Sequence, residues 1–225
     1  MAHFFLILLV ALPLFGQSFT VEIEELPTTN LNQTTTKKPS VLMVDDFEDN
    51  DLVTFREWWS FGKVMINTKK VTEEKPYIGE TSMIINGSSY NWYAGGIGTY
   101  LNEDAQHFTT LKLVIYSPKL NAGAIRIELY DDDNNNNVVD IDSDKQMPSK
   151  DDLLIYDLNL IWKGWKVVSI PLIDFVDFNP EIGDNIWNPN QLYGSGGLIQ
   201  MQLVVLSSKY KSETIEFEID TIKFN

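Results

Sequence analysis

The sequence contains no cysteine. Disulfides, thiolate catalysis and cysteine-ligated zinc or iron–sulfur centres are therefore excluded, and so is a lipid-modified cysteine near the N-terminus. Histidine is nearly absent: His3 lies in the apolar N-terminal run, and His107 is alone in the remainder. Histidine-rich metal sites are ruled out by count, and a Ser-His-Asp arrangement would have to use His107. Basic residues are scarce as well. Lys and Arg number 17 against 32 Asp and Glu, for a net charge of -15. Such a chain is a poor partner for a phosphate backbone or an anionic membrane surface, so nucleic acid is not expected. A neutral ligand or a divalent cation suits it better.

Long apolar runs are also missing, apart from one at the start. In MAHFFLILLVALPLFGQ the run Phe4 to Phe15 is shorter than the roughly 20 residues that span a bilayer, and small Gly16 follows it. Residues 1–16 read as a signal peptide, with an uncleaved N-terminal anchor as the alternative. Residues 17–40, rich in Thr and Asn and containing Thr34-Thr35-Thr36, read as a linker. The protein is therefore expected to be secreted, or to sit at a cell surface or in a periplasm. Asn32-Gln33-Thr34 and Asn86-Gly87-Ser88 match the glycosylation sequon.

From Val41 onward, short β-rich runs alternate with turn residues. They cover 41–47, 63–69, 82–86, 98–101, 111–116, 124–130, 153–158, 166–171, 198–206 and 214–224, and no segment keeps a helical period over three turns. Many short strands at this spacing predict an all-β fold, a β-sandwich jelly roll over residues 41–225. The last run, FEIDTIKF, alternates so that Phe217, Ile219 and Thr221 share one side and Glu218, Asp220 and Ile222 the other. It is expected to pair with the first run, VLMVDDFE. Asp46, Glu48 and Asp220 would then meet, and clustered carboxylates call for a cation.

Several motifs occur in an order that resembles a known family. They are Asp45-Asp46-Phe47-Glu48, Trp58, Gly79 before Ser82-Met83-Ile84-Ile85, Leu111 to Tyr116, Arg126 to Asp131, Gly164 to Leu172 with Asp174-Phe175, and Ile219-Asp220-Thr221-Ile222. The order resembles the galactose-binding-like jelly roll of carbohydrate-binding modules, families eleven and four, and of complex I intermediate-associated protein 30-type domains. The resemblance implies a structural calcium held by Glu48 and Asp220, with Asp46 beside them and Glu80 in a loop that adds a ligand.

A second acidic stretch, DDDNNNNVVDIDSD from Asp131 to Asp144, fails the EF-hand template, with Asn136 at the sixth place and Asp142 at the twelfth. It reads as a solvated acidic hairpin loop, with a weak cation site as the alternative.

Aromatics supply the candidate ligand platform. Arg126, Glu128 and Tyr130 alternate with Ile125, Ile127 and Leu129, so the polar three share one sheet face, and Gln200 and Gln202 repeat the pattern on a later strand. Together with Trp92, Tyr93 and Trp162 from loops, they form the expected ligand-binding set, while Trp165 reads as core. Rings stack on the C–H faces of sugars, and amide, Arg and carboxylate groups bond their hydroxyls. The expected function is a secreted, non-catalytic protein that binds a polysaccharide or other glycan. The alternative is a structural surface, sheath or adhesion subunit using the fold for protein contacts at the cell surface. A glycoside hydrolase is not expected. Glu218-Ile219-Asp220-Thr221-Ile222-Lys223 resembles the E-I-D-x-x-E signature of jelly-roll β-glucanases, but Lys223 replaces the acid/base carboxylate.

Overall fold

The computed structural model describes residues 39–72, 79–207 and 212–225. Residues 1–16, read as a signal peptide, nearly all of the stretch read as a linker, and the Asn32 sequon lie outside the described residues.

Two antiparallel sheets face each other across one core. The first contains β1 (Leu42–Asp45), β3 (Val64–Lys70), β4 (Thr81–Ser89), β6 (Thr110–Ser117), β11 (Gly164–Pro171) and β14 (Glu213–Phe224). Its order is β11-β6-β14-β4-β3, and β1 also pairs with β14. The second runs β12-β10-β7-β13-β5-β2 and contains β2 (Trp58–Gly62), β5 (Tyr93–Glu103), β7 (Ala124–Asp131), β10 (Asp152–Asn159), β12 (Val176–Asp177) and β13 (Leu198–Leu206). A small hairpin, β8 (Ile141–Asp142) with β9 (Met147–Pro148), sits in the β7–β10 connection. From β4 to β7 the chain crosses between sheets at each step, giving a jelly-roll β-sandwich. The only helix among the described residues is a 3-10 turn, Leu172–Asp174.

Period-two patterning decides which side chains face inward. Ile125, Ile127 and Leu129 of β7 and Met201, Leu203 and Val205 of β13 point to the core, where they meet Leu111, Leu113 and Ile115 of β6. Each large side chain so buried contributes about 1.5–3 kcal/mol. Compared with the sequence reading, β2 is additional, and β5 starts at Tyr93, ahead of the run expected at 98–101.

The expected pairing of the first and last runs is present, with Leu42 opposite Phe224 and Met43 opposite Lys223. The alternation expected for the last run is not kept. A register shift against β6 falls between Ile219 and Ile222, so Asp220 and Thr221 form a bulge. Ile222 therefore joins Phe217, Ile219 and Phe224 in the core.

Candidate functional site

The outer face of the second sheet carries three cross-strand rows. In the first, Trp59 lies opposite Gly98, Gly98 opposite Gln202, Gln202 opposite Glu128 and Glu128 opposite Ile155. In the next, Phe61, Gly96, Val204, Arg126 and Asp157 align in the same way. In the third, Tyr100, Gln200, Tyr130 and Leu153 align.

The two glycines shape this surface. A β-carbon at Gly98 would come within 2.6 Å of the Trp59 ring, and one at Gly96 within 2.5 Å of the Phe61 ring. Because neither position has a side chain, the rings of the edge strand can lie across the sheet. Trp59 then meets Tyr100, with ring centroids 4.7 Å apart.

Two depressions follow these rows. One, of about 440 Å³, is lined by Trp59, Tyr100, Tyr130, Gln200, Gln202 and the loop residues Asn137, Val138, Val139 and Ile141. The other, of about 430 Å³, is lined by Phe61, Trp92, Tyr93, Arg126, Glu128 and Gln146, among others. Tyr130, Ile141 and Gln202 line both, so the two form one groove.

The charges in the groove are matched within the protein. Arg126 donates through Nε and a terminal nitrogen to the two Asp157 oxygens, at 2.8 and 3.0 Å. This bidentate pair raises the pKa of Arg126 further. Burial pushes the Glu128 carboxyl above its ordinary range, partly offset by the Tyr130 hydroxyl, which donates to it at 2.8 Å.

Seven of the eight residues expected to bind ligand line this groove: Arg126, Glu128, Tyr130, Trp92, Tyr93, Gln200 and Gln202. Trp162 does not. It packs against the main core, whereas Trp165 stacks on Tyr116, with centroids 5.4 Å apart, on the outer face of the first sheet. The expected roles of these two tryptophans are thus exchanged, because β11 sends Val168 and Ile170 inward and leaves Trp165 on the opposite face. Tyr130 also differs from expectation. It is buried in a small second cluster with Leu153 and Ile155, beneath Val139 and Met147 of the β7–β10 connection. Trp59, Phe61 and Tyr100 line the groove as well, although they lie outside the ligand-binding set expected from sequence; Trp59 and Tyr100 stand out there only as two of many aromatics. The signal was present in Trp59-x-Phe61 set against Gly96-x-Gly98-x-Tyr100, but it is readable only once β2 and β5 are known to pair.

The expected calcium ligands are not gathered. No three of Asp46, Glu48, Glu80 and Asp220 bring carboxylate oxygens within 4.8 Å of one another. Glu48 instead accepts from the backbone N–H groups of Glu80, at 2.8 and 3.0 Å, and Thr81, at 3.1 Å. These donors satisfy a carboxylate and would face a cation unfavourably. Asp46 is exposed and accepts from the Glu48 N–H, while Asp220 is buried and accepts from the Thr221 hydroxyl. The buried acid of the first strand is its neighbour Asp45, which accepts from the Phe47 N–H and the Trp58 indole N–H, both at 2.8 Å.

The acidic stretch 131–144 is exposed along much of its length, at 135–138, 141 and 143–144, and leads into the β8–β9 hairpin, but its first residues depart from the solvated loop expected. Asp131 and Asp132 are buried, as are Asp151 and Asp152 at the start of β10. Burial pushes Asp131 to about 8, Asp133 to about 7 and Asp151 to about 6, and neighbouring aspartates add to each shift.

Comparison of the sequence with protein families and with curated proteins finds no match. Solved structures do match. A family 11 carbohydrate-binding module from Clostridium thermocellum, in complex with a β-1,3-1,4-mixed-linked tetrasaccharide, is 18% identical with a TM-score of 0.49, over 82% of this chain and 94% of that one. TmCBM61, in complex with β-1,4-galactotriose, is 12% identical with a TM-score of 0.42, over 80% and 93%. The K1 cleaved adhesin domain of Lys-gingipain from Porphyromonas gingivalis is 9% identical with a TM-score of 0.44, over 83% and 98%.

Proposed function

We propose that this protein binds a neutral glycan in the groove on the outer face of its second sheet and does not cleave it. The observation that carries this reading is the floor of the groove. Trp59 and Tyr100 form a ring platform beside Gln200 and Gln202, with half-exposed Trp92 and Tyr93 at the other end. Rings supply stacking surfaces for sugar C–H faces, and amides supply paired donors and acceptors for hydroxyls. The charges favour a neutral ligand, since Arg126 is already bound to Asp157 and Glu128 to Tyr130. Binding without cleavage is supported by the carboxylates. Glu128 is the one carboxylate lining the two depressions, and most glycosidases need a pair. An exported location, secreted or at a cell surface, belongs to the same proposal and rests on residues 1–16.

Affinity electrophoresis and calorimetry against soluble β-glucan, xylan and galactan test this reading. The expected result is retardation by at least one glycan, lost in Trp59→Ala, with no reducing ends released. No binding to any of the three, or binding unchanged in Trp59→Ala, would overturn it.

A further inference from the structure

The three acids Asp133, Asp152 and Asp184 come from three separate segments. Asp133 follows β7, Asp152 opens β10, and Asp184 lies in the connection between β12 and β13. Each offers a carboxylate oxygen, and these oxygens lie within 4.8 Å of one another. Oxygen ligands around a calcium ion stand about 2.3–2.6 Å from the metal, so two ligands on opposite sides are about 4.6–5.2 Å apart. Among the described residues no lysine or arginine forms an ion pair with any of the three.

Two further observations point to a ligand. The Asp152 side chain is 1% exposed, yet its Oδ1 has no hydrogen-bond partner. Its other oxygen accepts from the Ile186 N–H, so the loop holds the carboxylate in place and leaves Oδ1 free. Asp133 is arranged similarly. Its Oδ2 accepts from the Asp152 N–H at 2.8 Å, and its Oδ1 is buried and unpartnered. A buried polar atom without a partner costs about 1–3 kcal/mol, and more if charged. The second observation is Gly183, at φ 71°. A β-carbon there would collide with Asp152 Oδ1 and Asp133 Oδ2, so the backbone closes directly over the carboxylate oxygens.

We propose that Asp133, Asp152 and Asp184 bind a divalent cation of the calcium class. The ion joins the β7–β10 connection to the β12–β13 connection at one end of the second sheet. Water and backbone carbonyls complete a shell that three carboxylates alone do not fill. The β7–β10 connection also supplies Asn137, Val138, Val139 and Ile141 to the groove wall. If the glycan reading holds, the ion steadies that wall, but the cation site itself does not depend on that reading.

Calorimetric titration of the chelator-treated full chain with calcium chloride, without any glycan, is the test. One ion per chain is expected, with a rise of several degrees in melting temperature at saturating calcium. Asp184 is exposed, so Asp184→Asn is expected to fold normally by circular dichroism and to weaken binding at least tenfold. Asp152→Asn is expected to abolish it, and Asp220→Asn to leave it unchanged. Absence of calcium binding by the parent chain would overturn the proposal. So would binding that survives in a folded Asp184→Asn variant, or that is lost in Asp220→Asn while Asp184→Asn keeps it.

Discussion

Trp59 on the edge strand β2 and Tyr100 on its neighbour β5 hold their ring centroids 4.7 Å apart, with their planes tilted by 39°. Neither ring belongs to the main core, and Tyr100 is 54% exposed. Large aromatic surface left in water at the floor of a groove is what the proposed glycan platform rests on. The predictions below follow from how this pair, and the side chains across the sheet from it, are held.

Tyr100→Ala should weaken glycan binding by about 1–2 kcal/mol through loss of stacking. Its effect on melting temperature should be small, because the ring is already exposed. Calorimetry paired with a thermal melt separates the two, and equal binding by parent and variant would place the platform elsewhere.

Gly98→Ala should weaken binding without removing any ring. The added methyl group would press on Trp59 from 2.6 Å, and the indole must swing away from the sheet. A change in intrinsic tryptophan fluorescence should accompany the loss. Gly164→Ala makes a useful contrast, because a β-carbon there meets nothing within 4 Å and only the φ of 87° is strained.

Tyr130→Ala should cost about 3 kcal/mol of stability, as truncation of a buried ring does. Tyr130 lies against Leu153 and Ile155 with its hydroxyl on Glu128. Tyr130→Phe keeps the packing and should cost much less. Urea denaturation of both variants measures the difference, and a negligible loss in the alanine variant would mean that the β7–β10 connection does not cover this ring in solution.

The titration of Glu128 gives a signed pH dependence. Burial raises its pKa above 4.5 in the folded protein. The fold therefore prefers the protonated acid, and this contribution is complete below the unfolded value and lost as pH rises through the folded one. Glu128→Gln removes the cost of ionisation, so it should gain stability over the parent at pH 8 but not at pH 4. The Tyr130 hydrogen bond pulls the other way, so in Tyr130→Phe the Glu128 carboxyl should titrate higher still. Side-chain carbon-13 NMR shifts followed against pH read this directly, and a lower Glu128 pKa in that variant would contradict it.

What the sequence determined by itself is the part governed by local periodicity. Ile125, Ile127 and Leu129 alternate with Arg126, Glu128 and Tyr130, and period two sends the first three to the core and the others to the opposite face in any sheet that buries one side. The same rule, with the turn residues between runs, carried the all-β class. Tertiary structure decided whatever depends on which strands become neighbours. Gly96 lies outside, and Gly98 at the start of, the run read at 98–101; only when β2 is laid beside β5 do they become the space that Trp59 and Phe61 occupy. Trp162 and Trp165 cannot be assigned to core or surface without the register of β11. The bulge at Asp220 and Thr221 reverses the inward face of β14 at Ile222, a one-residue slip that the pattern FEIDTIKF does not announce. The acids show the same limit most plainly. Asp46, Glu48 and Asp220 lie on strands expected to adjoin, yet Glu48 turns to the amides of the Glu80–Thr81 turn. Asp133, Asp152 and Asp184 are far apart in the chain and come together only because β7 pairs with β10 and the β12–β13 connection folds back over their ends.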